Sequence, residues 1–124
     1  MLEIPSPSSC VPPPEPHPAS PDPGLVCALV SRCVACDFAL AIEDLDAAVR
    51  GSRRAVFARQ VAMYLAHVGF ALSFEVIGRA FGRDRTTVAH ACRAIEDRRD
   101  DIWFDCRLAT LELICRATLD GDMR

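Results

Sequence analysis

Apolar residues recur at 25, 26, 29, 30, 33, 36 and 38. That spacing returns to one side of a helix every three or four residues, and it predicts an amphipathic helix over 25–39. A second, short helix follows over 42–49, carrying the acids Glu43, Asp44 and Asp46. Next comes a basic turn, Arg50-Gly51-Ser52-Arg53-Arg54, with Gly51 as its flexible point. Over 55–68, Val56, Val61, Leu65 and Val68 form a stripe, with Ala62 and Tyr64 nearby, and Gly69 stands where a helix terminator is expected. Ser73 is a good cap for a short helix running to Phe81, in which Ile77 and Phe81 repeat at i, i+4. Gly82-Arg83 makes a turn, and Asp84 caps a further helix that runs to about Arg98. The last helix, over 102–119, aligns Phe104, Leu108, Leu111, Cys115 and Leu119 on one face. No stretch alternates as a strand would, and no segment repeats. The pattern predicts an all-α bundle of about six helices with short connections, containing a helix-turn-helix.

The helix after Asp84 has two distinct sides. At about 100° per residue, Val88, Ala91, Cys92 and Ile95 share one side, which should hold the helix on its scaffold. Thr86, Ala89, His90, Arg93 and Asp97 fall on the other. Thr86 and Ala89 are small enough for close approach to a groove, and a thymine methyl packs on either type of side chain. A recognition helix touches base edges through its first residues, here Asp84, Arg85 and Thr86.

Composition sharpens this picture. Of 124 residues, 51% are hydrophobic, enough for one small domain with a buried core. All nine prolines lie between Pro5 and Pro23. Residues 1–24 therefore read as a disordered Pro-rich tail, 25–119 as the folded domain, and 120–124 as a flexible C-terminus. The net charge of −3 argues against a polyanionic partner until its distribution is considered. Between Arg50 and Arg99 stand ten arginines against four acids, a local excess of six positive charges with acidic flanks. The chain contains no lysine. Seven cysteines, an odd number without a signal peptide, argue for a reduced cytoplasmic protein rather than a disulfide framework. Cys33-Val-Ala-Cys36 lacks a second ligand pair, so packing thiols are expected and no metal. No run approaches the ~20 apolar residues of a membrane span. No convergent nucleophile, base and orienting group is visible, so neither enzymatic activity nor a cofactor is expected.

Three linked segments carry a resemblance. They are Arg59-Gln60-Val61-Ala62-Met63-Tyr64-Leu65; then Leu72-Ser73 with Ile77-Gly78 and Phe81-Gly82; then Arg83-Asp84-Arg85-Thr86-Thr87-Val88-Ala89-His90-Ala91-Cys92 with Ile95. Together they resemble the signature of the C-terminal DNA-binding domain of the bacterial replication initiator DnaA, strongly over 59–95 and weakly towards both ends of 25–119. The resemblance implies that Asp84, Arg85 and Thr86 face bases in the major groove. It implies phosphate contacts from Thr87, His90 and Arg93, from Arg59 and Gln60 at the opening of the long helix, and from the backbone around Phe74. The basic turn, with Arg50, Arg53 and Arg54, would lean into the adjacent minor groove.

The chain also departs from that signature. Arg85 stands where the family has histidine, and arginine favours guanine O6 and N7. One glycine, Gly82, replaces two before Arg83-Asp84. Gly51 aligns with the minor-groove arginine, and Phe57-Ala58 replaces Arg-Pro. There is no G-x-x-x-x-G-K-[ST] loop, so no nucleotide is expected. The expectation is a stand-alone, cytoplasmic, nucleoid-associated protein that binds double-stranded DNA at DnaA-box-like sites. It would regulate replication initiation or transcription without ATPase activity or a membrane. A protein partner is expected at the C-terminal helix, which has Trp103 beside its apolar stripe, or at the Pro-rich tail. The alternative is a protein-interaction module that kept the fold but lost specific DNA binding.

Overall fold

The computed structural model describes residues 22–46 and 52–122. Residues 1–21 of the expected tail over 1–24, residues 47–49 of the expected second helix, Arg50, Gly51 and the last two residues lie outside them. Among the described residues the elements are α1 (Pro23–Asp37), α2 (Ile42–Asp46), α3 (Arg53–Phe70), α4 (Phe74–Phe81), α5 (Arg85–Asp97), a 3-10 turn (Arg98–Asp100) and α6 (Ile102–Asp122). The all-α architecture with six helices matches the hydrophobic pattern, and no strand is present among these residues.

Helix α1 begins two residues before the apolar spacing placed it. Asp22 accepts the Leu25 N–H at 3.1 Å, and Pro23 occupies the first turn, where its missing N–H costs nothing. The last proline of the tail is therefore a helix starter. Val26, Leu29, Val30 and Val34 enter the core. The chain then reverses through Ala39, whose φ of 57° is left-handed, as the Leu40 N–H closes on the Ala35 carbonyl at 2.8 Å.

Helix α3 is the centre of the bundle. It touches α1, α2, α4, α5 and α6, so Val61 to Leu65 are buried in succession, along with Ala66. The single stripe expected from its sequence is incomplete: Val61 and Leu65 are buried, but Val68 is 47% exposed. A helix surrounded on most sides has no one apolar face to read. Ser52 caps it by accepting the Ala55 N–H at 3.1 Å. Arg53 and Arg54, expected in a turn, form the first residues of this helix instead. Gly69 does not end it. That glycine is buried inside the last turn, where a Cβ would lie 3.3 Å from Glu112 Cγ of α6. The helix stops at Phe70, and the left-handed residue is Ala71, with φ 59°.

Helices α4 and α5 form the helix-turn-helix. Ser73 and Asp84 cap them, accepting from Val76 N–H at 3.1 Å and Thr87 N–H at 2.8 Å. Gly82 takes φ 69° at the turn, and the Arg83 N–H bonds the Gly78 carbonyl at 2.8 Å. The turn lies so close to α4 that a Cβ on Gly78 would sit 2.5 Å from the Arg83 carbonyl oxygen. Only glycine admits this shortened connection.

Two side-chain clusters tie the last helix to the rest. Tyr64 donates to Glu96 at 2.5 Å and accepts from Arg99 at 2.9 Å, while Arg99 also pairs with Asp105 at 2.5 Å. This links α3, α5, the 3-10 turn and α6. Phe57 packs between Phe38 and Phe104, with centroids 5.9 and 5.6 Å away. The Arg98 guanidinium lies 4.6 Å above the Phe57 ring. No helix among the described residues is long and apolar enough to cross a membrane.

Candidate nucleic-acid interface

The two sides of α5 separate as its sequence requires. Val88, Ala91, Cys92 and Ile95 are buried, while Arg85, Thr86, Thr87, His90 and Arg93 are exposed and Ala89 is half-buried. The helix stands as a ridge between two shallow clefts. The first runs between α5 and the opening half of α3, and its polar lining is Arg59, Gln60, Asp84, Thr86, Thr87 and His90. The second runs between α5 and the start of α4, lined by Phe74, Arg85, Thr86, Ala89, His90 and Arg93. Thr86 and His90 line both. Nine residues singled out from sequence thus meet on one continuous surface, although Arg59 and Gln60 precede Asp84 by more than twenty positions.

Local packing fixes each wall. Phe74 is held by His67, whose ring lies 4.3 Å from it and whose Nδ1 meets the Leu72 carbonyl at 2.8 Å. Asp84 is exposed, yet the Thr87 amide and hydroxyl, with help from His90, hold its carboxyl below the usual aspartate range. It is an ionised cap at the tip of the ridge.

Arg59 is the exception to the exposed pattern. It is only 8% exposed, and its guanidinium reaches the Leu45 carbonyl across a long 3.4 Å contact. No carboxylate among the described residues pairs with it. Burial, and then the positive charge of Arg83, push its pKa down. Two cations brought together in a cleft wall raise the local positive potential. Arg83 was not among the residues singled out from sequence; its position directly before Asp84 was the available signal.

The basic turn is only partly assembled. Arg53 is exposed at the start of α3, whereas Arg54 donates to the Phe38 carbonyl at the end of α1. Phe57, where the family signature carries a positive charge, is committed to the aromatic cluster.

Residues 27–95 match the family described as the bacterial dnaA protein helix-turn-helix. The chain is 44% identical over 93 residues to the chromosomal replication initiator protein DnaA of Brucella abortus biovar 1, covering 73% of this chain and 18% of that protein. It is 48% identical over 69 residues to the DnaA of Bartonella quintana, covering 55% and 14%. A crystal structure of a DNA replication initiation factor superposes with a TM-score of 0.71 at 31% identity, over 78% of this chain and 30% of that one. The chain spans less than a fifth of the length of these initiators. The family match covers more than half of the sequence, and its residues are those that build the ridge and both clefts: this chain belongs to the bacterial DnaA helix-turn-helix family.

Proposed function

We propose that this chain binds double-stranded DNA sequence-specifically at sites related to the DnaA box, and acts in replication initiation or transcription without hydrolysing ATP. The observation that carries the reading is the joining of nine positions singled out from sequence, eight of them polar or charged, into two clefts flanking one helix tip. Asp84, Arg85 and Thr86 sit at that tip and face base edges in the major groove. The first cleft takes one phosphate strand through Arg59, Gln60 and Thr87. The second takes the other through Arg93, His90 and the opening amides of α4 at Phe74, which have no partner within their helix. Arg85 reads guanine in bidentate fashion, a preference that histidine at this position would not share. Arg53, with Arg50, reaches the adjacent minor groove. Arg54 joins them only by leaving the Phe38 carbonyl. These 124 residues hold no lysine and no phosphate-binding loop, so the DNA reading assigns them no ATP hydrolysis by that route.

Fluorescence anisotropy on box-containing and scrambled duplexes, at low and high salt, tests this reading. Box DNA should bind more tightly. Arg93→Ala should weaken both duplexes alike and reduce the salt slope by about one. Arg85→His should change the preferred base at one position. Failure to bind any duplex at low salt would reject the proposal in favour of a pure interaction module. Chromatin immunoprecipitation separates the two roles by where occupancy clusters, at the origin or at promoters.

A further inference from the structure

Helix α6 is apolar on two opposite sides. Leu108, Leu111, Cys115 and Leu119 enter the core. On the outer side, Ile102, Cys106, Ala109, Thr110, Leu113 and Ala117 are all exposed, with Trp103 at the margin. Trp103 is 83% exposed, Ile102 70% and Leu113 69%, which is far beyond incidental surface exposure. At about 100° per residue, no charged side chain falls within that outer arc between 102 and 117. The neighbouring charges are turned towards the domain. Arg107 pairs with Asp37 at 2.8 Å, Asp105 with Arg99 at 2.5 Å, and Arg116 with Glu112 and the Gly69 carbonyl. The Thr110 hydroxyl is spent on the Cys106 carbonyl at 3.0 Å, leaving its methyl outward. The result is a bare stripe about 22 Å long. It shares no residue with the clefts that flank α5.

We propose that this stripe pairs with the same stripe of a second copy of the chain, with the two α6 helices antiparallel. The order of side chains along it argues for that occupant. A two-fold axis between Ala109 and Thr110 sets Ile102 against Ala117 and Cys106 against Leu113, so large meets small at each level. Ala109 and Thr110 meet at the centre, where small residues allow close approach. A parallel pair would stack Leu113 on Leu113 and leave a gap at Ala109. The margin beside the stripe carries Asp105 and Arg116, each already paired within its own domain, so neither copy brings an unpaired charge from that margin to the seam. A single helix face is small beside a standard interface of about 20–30 residues a side, so the dimer is weak and concentration-dependent. The inference stands apart from the DNA reading.

Sedimentation velocity of the full chain tests it across low to high micromolar concentration. The wild type should shift from monomer to dimer. Leu113→Asp should remain monomeric, while melting and binding duplex DNA as the wild type does. Disulfide trapping tests the register in a C10S/C36S background. Adding L113C should give covalent dimers through Cys106 of the second copy on mild oxidation with oxidised glutathione. The background alone should not, because its two Cys106 thiols would stand seven residues from contact. A wild type that stays monomeric throughout would overturn the proposal and leave the stripe to residues 1–21 or to a different protein. Trapping of the background through Cys106 itself would overturn the antiparallel register.

Discussion

At Arg59 the stability of the fold and the proposed function pull in opposite directions. Its guanidinium is buried with one long hydrogen bond and a second arginine nearby, an arrangement that makes the charged side chain costly to hold in the free protein. Replacing an uncompensated buried cation by an apolar side chain of similar length removes that cost. Arg59→Met should therefore raise the stability of the free protein by about 1 kcal/mol. On the DNA reading it should weaken duplex binding about tenfold. Paired melting and anisotropy measurements check both signs. A variant that loses stability and keeps affinity would return Arg59 to a purely structural role. Asp84 gives a pH dependence. Its folded pKa lies below that of an unfolded aspartate, so its cap stabilises the fold at neutral pH. That contribution is fully present above the unfolded value and is lost as pH falls through the depressed folded one. Asp84→Ala should melt below the wild type at pH 7, with the gap closing under acid. A gap independent of pH would assign the loss to something other than the carboxylate.

At the scale of elements, the turn between α4 and α5 separates two glycines of different kind. Gly78→Ala drives a Cβ into the Arg83 carbonyl and forces α5 away from α4, at a cost of about 1–3 kcal/mol. Gly82→Ala meets no neighbour and bears only the left-handed backbone cost of about 1–2 kcal/mol. Both should melt earlier, but only Gly78→Ala should lose DNA affinity well below its melting transition, because it displaces the ridge. The two faces of α5 were legible because a half-buried helix writes its period plainly, with Val88, Ala91, Cys92 and Ile95 inside. The elements misplaced by sequence have equally physical causes. Proline reads as a breaker, yet Pro23 opens α1. Glycine reads as a terminator, yet Gly69 makes room for Glu112, while Ala71 takes the left-handed position.

At the scale of the whole molecule, the buried links between distant segments decide cooperativity. Tyr64 joins Glu96 and Arg99 across three elements, and nothing in the spacing of those residues announces it. Tyr64→Phe removes both hydrogen bonds while Arg99 keeps Asp105 and Glu96 stays in solvent, and should cost about 1 kcal/mol. Amide exchange at the start of α6 should accelerate with it; unchanged protection there would make the network ornamental. The candidate site shows the same division. Its α5 half could be assigned from helical periodicity, but the adjacency of Arg59 and Gln60 came only through a family resemblance, since it depends on how α3 crosses the bundle.

Because Thr86 and His90 serve both clefts, the two walls cannot be adjusted separately; the cores beneath α3 and α4 fix their separation. On the proposed function, the surface would act as a gauge before it acts as a reader, and a helix whose furrow has the wrong breadth should be refused regardless of its letters. An RNA–DNA hybrid of the preferred sequence, with its deep and narrow A-form furrow, should compete no better than unrelated duplex.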